Sequence, residues 1–180
     1  DNKGDTPSHF AAKNGRTQNL KYLFAHNANG YLKNHNGLNP LHLAAQKARY
    51  EILPTLTEHI NISTLDDENN TALILAGKEL HSVRDNEKLL YRYTETIRTL
   101  IECGANINNE RDIKGNTILH EAYKFGNEDI IKFLLRKGAN PNSINNDGQV
   151  AQYMGEKIYK PLSSTLLPIP IACYPSIVIG

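Results

Sequence analysis

The chain repeats itself, and that constrains it more than its composition does. The stretch Asp1-Asn-Lys-Gly4-Asp-Thr6-Pro7-Ser-His9-Phe-Ala11-Ala12 returns 33 residues later as Asn34-His-Asn-Gly37-Leu-Asn39-Pro40-Leu41-His42-Leu-Ala44-Ala45. Further copies follow in Asn69-Asn-Thr71-Ala72-Leu73-Ile-Leu-Ala76 and Gly115-Asn-Thr117-Ile-Leu119-His120-Glu-Ala122, with a degenerate fifth in Asp147-Gly148-Gln-Val150-Ala151. The far ends of the units match as well: Asn27-Ala28-Asn29, Gly104-Ala105-Asn106 and Gly138-Ala139-Asn140. A unit this short cannot bury an apolar face alone, so its copies must stack on one another.

Local chemistry predicts two helices per unit. Thr6, Thr71 and Thr117 stand as N-caps whose hydroxyls can accept from the first free helix amides. Pro7 and Pro40 take the first helical position, where a missing amide hydrogen costs nothing. Ala11, Ala12, Ala44, Ala45, Ala76 and Ala122 keep this first, inner helix thin enough for close stacking. Gly15 and Gly126 suit a left-handed helix end. A second, outer helix shows a 3.6-residue apolar period in Leu20, Leu23 and Phe24, and again in Ile130, Ile131, Leu134 and Leu135. Gly104 and Gly138 close it, and the Asn-rich stretch beyond supplies a turn into the next unit.

A 33-residue unit with T-P-L-H-x-A followed by G-A-N-x-N resembles the ankyrin repeat, over about residues 1–157. The resemblance implies an all-α solenoid of stacked helix-turn-helix units joined by short hairpin-like loops. The units fall at about 1–33, 34–65, 66–111 and 112–144, with a partial one at 145–159. It gives His9, His42 and His120 a structural role, bonding backbone of the adjacent turn. One histidine per repeat is not a converging metal or acid–base site. The resemblance also implies a concave binding face. Its hairpin-tip candidates are Tyr31, Lys33, His35, Asn36, Leu38, Asp67, Glu68, Arg111, Asp112 and Lys114. Its inner-helix candidates are Phe10, Lys13, Asn14, Leu43, Gln46, Lys47, Leu75, Lys78, Glu121, Lys124 and Phe125.

Three regions depart from the pattern. The second unit has Ala48 in place of the turn glycine, Pro54 inside its outer helix, and His59-Ile60-Asn61 in place of Gly-Ala-Asn. The proline should delay or kink that helix, as tolerated drift or as a reshaped convex surface. In the third unit Thr71 and Gly104 lie 33 residues apart, whereas Thr117 and Gly138 lie 21 apart, so twelve residues are extra. They fall within 78–93, a stretch with no Gly or Pro. The expectation is that both helices lengthen into a hairpin projecting beyond its neighbours, with Asp85 capping a helix that runs to about Glu102. Leu80, Val83, Leu89 and Leu90 suit packing; Tyr91 and Tyr93 suit contact with a partner. Deleting Ser82 to Asn86 is expected to leave folding intact. In the tail, 160–180, Pro161, Pro168, Pro170 and Pro175 forbid a continuous helix among apolar residues. It reads as a cap on the last unit or the start of another domain; a docking segment is disfavoured because no PxxP core is present.

Composition narrows the functional classes. Of 180 residues, twenty are Lys or Arg and nineteen Asp or Glu, so no overall field gathers nucleic acid or presses the chain to an anionic membrane. Cys103 and Cys173 supply neither a disulfide framework nor a zinc-type CxxC, and read as reduced thiols of a cytoplasmic protein. No apolar run reaches the length of a membrane span. P-loop, GxSxG and HExxH patterns are absent from the sequence. No cofactor is therefore expected, and the expected partner is another protein, bound by a monomeric chain. Heavy use of Asn, Ile and Lys accompanies AT-rich genomes, and divergent ankyrin proteins of this kind resemble effectors that bacteria deliver into host cells; a eukaryotic or viral adaptor would look similar. The alternative is the substrate-targeting part of a larger enzyme.

Overall fold

The computed structural model describes residues 1–154; the expectations for the 160–180 tail and for Cys173 lie outside the described residues. Among the described residues eight α-helices run in order: α1 Pro7–Lys13, α2 Thr17–Ala25, α3 Pro40–Gln46, α4 Leu53–Thr57, α5 Ala72–Glu79, α6 Glu87–Glu102, α7 Ile118–Phe125 and α8 Glu128–Arg136. A last 3-10 turn, Ala151–Tyr153, lies against α7. Among the described residues there is no strand, only one isolated bridge between Ile144 and Val150. The helices pair as inner and outer: α1 with α2 (unit 1), α3 with α4 (unit 2), α5 with α6 (unit 3), α7 with α8 (unit 4). The inner helices stack in sequence, α1 on α3, α3 on α5 and α5 on α7.

Close stacking follows from small side chains. Ala11, Ala44, Ala76 and Ala122 occupy the same register in the four inner helices, and all are buried. At Gly77 the approach is tighter still, since a Cβ there would stand 2.5 Å from the Ile118 Cδ1 of the next unit. Between the layers lies one continuous core that runs from Leu20 through Leu53, Leu73 and Ile97 to Leu134.

An Asx residue organises each hairpin turn. The side chains of Asp1, Asn34, Asp66, Asp112 and Asn145 each accept two backbone N–H groups, two and four residues ahead. Neighbouring tips nest: a Cβ on Gly37 (φ +72°) would collide with Asp67 of the next tip.

Histidine ties the start of an inner helix to backbone of an adjacent turn. His9 Nδ1 accepts the Thr6 N–H (3.1 Å) and the Thr6 hydroxyl (2.8 Å), which leaves Nε2–H to donate to the Leu38 carbonyl (2.8 Å). His42 repeats this with Asn39 and the Thr64 carbonyl, and His120 with Thr117 and the Gln149 carbonyl. Unit 3 has Ile74 at this register and no imidazole to use. There the Thr71 hydroxyl accepts the Ile74 N–H (3.4 Å) and donates to Oε2 of buried Glu110, whose Oε1 accepts the Asn106 N–H (2.9 Å).

In unit 2 the proline divides the outer helix: a 3-10 turn, Tyr50–Ile52, precedes the short α4, and Pro54 sits at its amino end where no amide is needed. Ala48 takes the left-handed conformation (φ +50°) that Gly15 and Gly126 take in units 1 and 4.

The insertion lengthens both helices of unit 3. A 3-10 turn, Leu80–Val83, prolongs α5, and α6 runs sixteen residues to Glu102. Asn86, not Asp85, caps α6, its Oδ1 accepting the Leu89 N–H (3.0 Å). Nor does the hairpin stand free. Arg92 donates twice to the Ala48 carbonyl (3.2 and 2.9 Å) and lies over the Tyr50 ring, while the Tyr93 hydroxyl donates to the Gln46 carbonyl (2.7 Å). Burial pushes Tyr93 up to about 12, which keeps that donor protonated. Toward unit 4, Arg84 donates to the Phe125 carbonyl (3.1 Å) and lies over the Phe125 ring. The hairpin thus clamps both neighbours. With Val83 buried and Arg84 engaged, deletion of Ser82 to Asn86 removes contacts rather than a free tip.

Candidate functional site

The side of the stack formed by the inner helices and hairpin tips is the surface that no outer helix covers. On the inner helices Phe10, Asn14, Lys47 and Lys124 are exposed, and Lys13 and Gln46 are half-buried. Along the tips His35, Asn36, Asp67, Glu68 and Lys114 are exposed, together with Ile113, which the repeat pattern did not single out. The Asx-held turns and the His ties fix the backbone beneath these side chains, so the tips form a preorganised row.

Several expected contact residues are not available. Leu38, Leu43 and Leu75 are buried against one another, closing the middle of the face with an apolar cluster of its own. Asp112 is buried within its turn and occupied by the N–H groups of Lys114 and Asn116. Glu121 is buried, with Oε2 accepting from His81 Nε2 (3.1 Å) and lying 3.8 Å from Lys124 Nζ. Phe125 is buried beneath Arg84 and the edge of the His81 ring. The insertion therefore roofs the unit 4 end of the face.

Other candidates are exposed but already bonded. Tyr31 lies in the loop after the outer helix, where its hydroxyl accepts the Asn61 N–H (3.1 Å). Lys33 pairs with Asp67 (2.8 Å) across adjacent tips, and half-buried Lys78 donates to Asn70 Oδ1 (2.6 Å). Arg111 donates to the Gly115 and Ile144 carbonyls (2.8 and 3.0 Å), bridging the last two turns. Arg84, Arg92 and Glu110 escaped the sequence reading, because their partners lie about forty residues away and no local motif marks them.

The motif histidines His42 and His120 are committed to the turns. Burial holds His42 and His120 below their ordinary range, and each ring spends both nitrogens on the turn geometry. Among the described residues, no cluster of His, Cys, Asp or Glu could hold a metal ion, and no helix is long and apolar enough to cross a membrane.

Thin inner helices, clasped turns and an open polar face define a helical-repeat scaffold of the interaction type. The family model described as Ankyrin repeats (3 copies) matches residues 1–66 and 66–145, and the chain belongs to that family, whose fold is a non-catalytic protein-interaction module. Similar proteins include the transient receptor potential cation channel subfamily A member 1 of Homo sapiens (31% identical; 77% of this chain, 11% of the channel). An L-asparaginase of Dirofilaria immitis is 29% identical over 75% of this chain and 26% of its own length. Ankyrin repeat protein B18 of vaccinia virus is 24% identical over 84% of this chain and 26% of its own. The chain thus spans about a quarter or less of the length of these relatives.

Proposed function

We propose that this chain is a binding scaffold that grips another protein along its concave face, acting as a single chain in the cytoplasm as an adaptor or a delivered effector. The observation that carries the reading is the row of solvent-facing side chains on a backbone fixed from beneath: Phe10, Lys13, Asn14, Gln46, Lys47 and Lys124 on the inner helices, and His35, Asn36, Asp67, Glu68 and Lys114 on the tips. Mixed charge beside one exposed aromatic ring suits a specific polypeptide surface better than a uniform polyanion. The test compares partner capture by the chain with capture by a Phe10→Ala, Lys47→Glu, Lys124→Glu variant and by a convex control, Lys21→Glu with Lys88→Glu. The concave variant should lose a discrete set of proteins that the control retains. Equal recovery by all three would overturn the reading.

A second reading has one observation behind it. The matched asparaginase is an enzyme by name, and the chain spans only 26% of it. As the targeting part of a larger enzyme, the same face would bind substrate or regulator. The concave variant would then alter the parent enzyme's KM for a macromolecular substrate while leaving kcat on a small one unchanged.

A further inference from the structure

The face left open by the outer helices does not mix its charges evenly. Counted from the N-cap, Lys13, Lys78 and Lys124 fall at the same place in α1, α5 and α7; unit 2 has Gln46 there and Lys47 directly after it. One lysine per unit therefore lines the carboxyl ends of the inner helices. Lys47 and Lys124 are exposed, and Lys13 and Lys78 are half-buried. The Lys13 and Lys47 ammonium groups have no hydrogen-bond or ion-pair partner among the described residues. Lys78 meets a neutral acceptor, Asn70 Oδ1 (2.6 Å).

Two carboxylates adjoin the row, and both are engaged. Glu121 is buried and accepts from His81, and half-buried Glu79 accepts the Ser82 hydroxyl (3.3 Å). The net charge of +1 conceals the row because carboxylates are set elsewhere, with Glu51, Glu58, Glu87 and Glu102 exposed on the outer side of units 2 and 3. A cation in the last turn of a helix also answers the helix dipole. The outer helices make the same demand, yet α2, α4 and α6 carry no basic residue in their last turns, and Glu58 follows α4 directly. The lysines track the face, not the helix ends.

Resting on the concave-face reading above, we propose that the row reads carboxylates and that its partner is an extended acidic segment of another protein, one carboxylate to each unit. Stacked helices lie about 8–10 Å apart, and a polyproline II chain advances about 9 Å per three-residue turn. A segment in that conformation, laid across the inner helices, brings a side chain to the row at each turn, so an acidic residue at about every third position meets a lysine of each unit. A strand returns a side chain to one face about every 7 Å and drifts out of step with the units. Single-stranded nucleic acid offers anions too, but it carries its phosphates past Asp67 and Glu68 on the unit 3 tip, where like charge repels; a polypeptide can leave that side uncharged.

The test titrates the chain at low salt, read by backbone amide shifts, with a synthetic peptide of about twelve residues that repeats Glu-Pro-Ser and with a peptide of the same composition whose glutamates all lie at one end. The repeat should shift the amides around Lys13, Lys47, Lys78 and Lys124 and bind at least about threefold tighter than its rearranged counterpart. Lys13→Gln with Lys47→Gln removes two charges and no bond, and should weaken the repeat about fivefold with the Tm unchanged. Lys21→Gln with Lys88→Gln, on the convex side, should leave its affinity as in the parent. Equal affinity for the two peptides, or equal loss in the two variants, would overturn the proposal by reducing the effect to net charge. Oligothymidylate binding the row more tightly than the repeat would overturn it too, assigning the row to phosphates. If neither peptide binds while the Phe10→Ala, Lys47→Glu, Lys124→Glu variant still loses its partners, the acidic class fails and the concave binding face stands; if that variant captures as the parent does, both fail.

Discussion

At the scale of single residues, the histidine ties that hold the turns work only in one protonation state. His42 and His120 need an unprotonated Nδ1 to accept an N–H while Nε2–H donates onward, and burial lowers both from 6.5. A lowered value means that their contribution is fully present above 6.5 and is lost as pH falls through the folded values. The urea midpoint of the chain should therefore fall between pH 7.5 and 5.5, and His120→Asn should flatten that slope; an equally steep slope in the variant would refute the assignment. Glu110 acts in the opposite sense. Burial raises it from 4.5, so its stabilising effect is present below 4.5 and is lost as pH rises through the folded value. At pH 7 Glu110→Gln relieves that penalty and retains an acceptor for Asn106, so its melting should match the parent's within about 1 kcal/mol. Glu110→Ala leaves the Thr71 hydroxyl and the Asn106 N–H unpaired and should cost about 1–3 kcal/mol. The histidine positions were legible because they recur; Glu110 was not, because it replaces a missing motif residue from 39 positions away.

At the scale of elements, the lengthened unit 3 works as a brace. The Arg92 guanidinium answers the carbonyl of Ala48, a non-glycine residue held in a left-handed turn. Removing it leaves that carbonyl without its partner and strips the cation from Tyr50. Arg92→Ala should cost about 1–3 kcal/mol by chemical denaturation; a loss within the noise of an exposed substitution would mean the contact is incidental. The absence of Gly and Pro through 78–93 made the extra helix length legible, as did the division of unit 2 at Pro54. The direction in which the hairpin leans was not legible, since it is set by single contacts between residues more than forty positions apart, such as Arg92 with Ala48 and Arg84 with Phe125. The capping residue was misplaced by one because Asp85 and Asn86 are chemically equivalent caps; only the backbone geometry separates them.

At the scale of the molecule, the layered architecture was legible from the recurrence of Ala11, Ala44, Ala76 and Ala122, small residues that stacking requires. The identity of the accessible contact residues was less so. Periodicity assigns Leu43, Leu75 and Glu121 the same register as Phe10, yet two leucines bury each other and Glu121 lies beneath the inserted turn. The open face is consequently narrower than the pattern implies, running from Phe10 and Lys47 along the tips to Lys114. Its rigidity depends on units that have little stability except through one another. Native-state hydrogen exchange on an Ala76→Arg variant tests that dependence most directly, because Ala76 is fully buried in unit 3 between the inner helices on either side. The account predicts that protection is lost in α3 and α7 as well as in α5; loss confined to α5, with its neighbours as protected as in the parent, would contradict it.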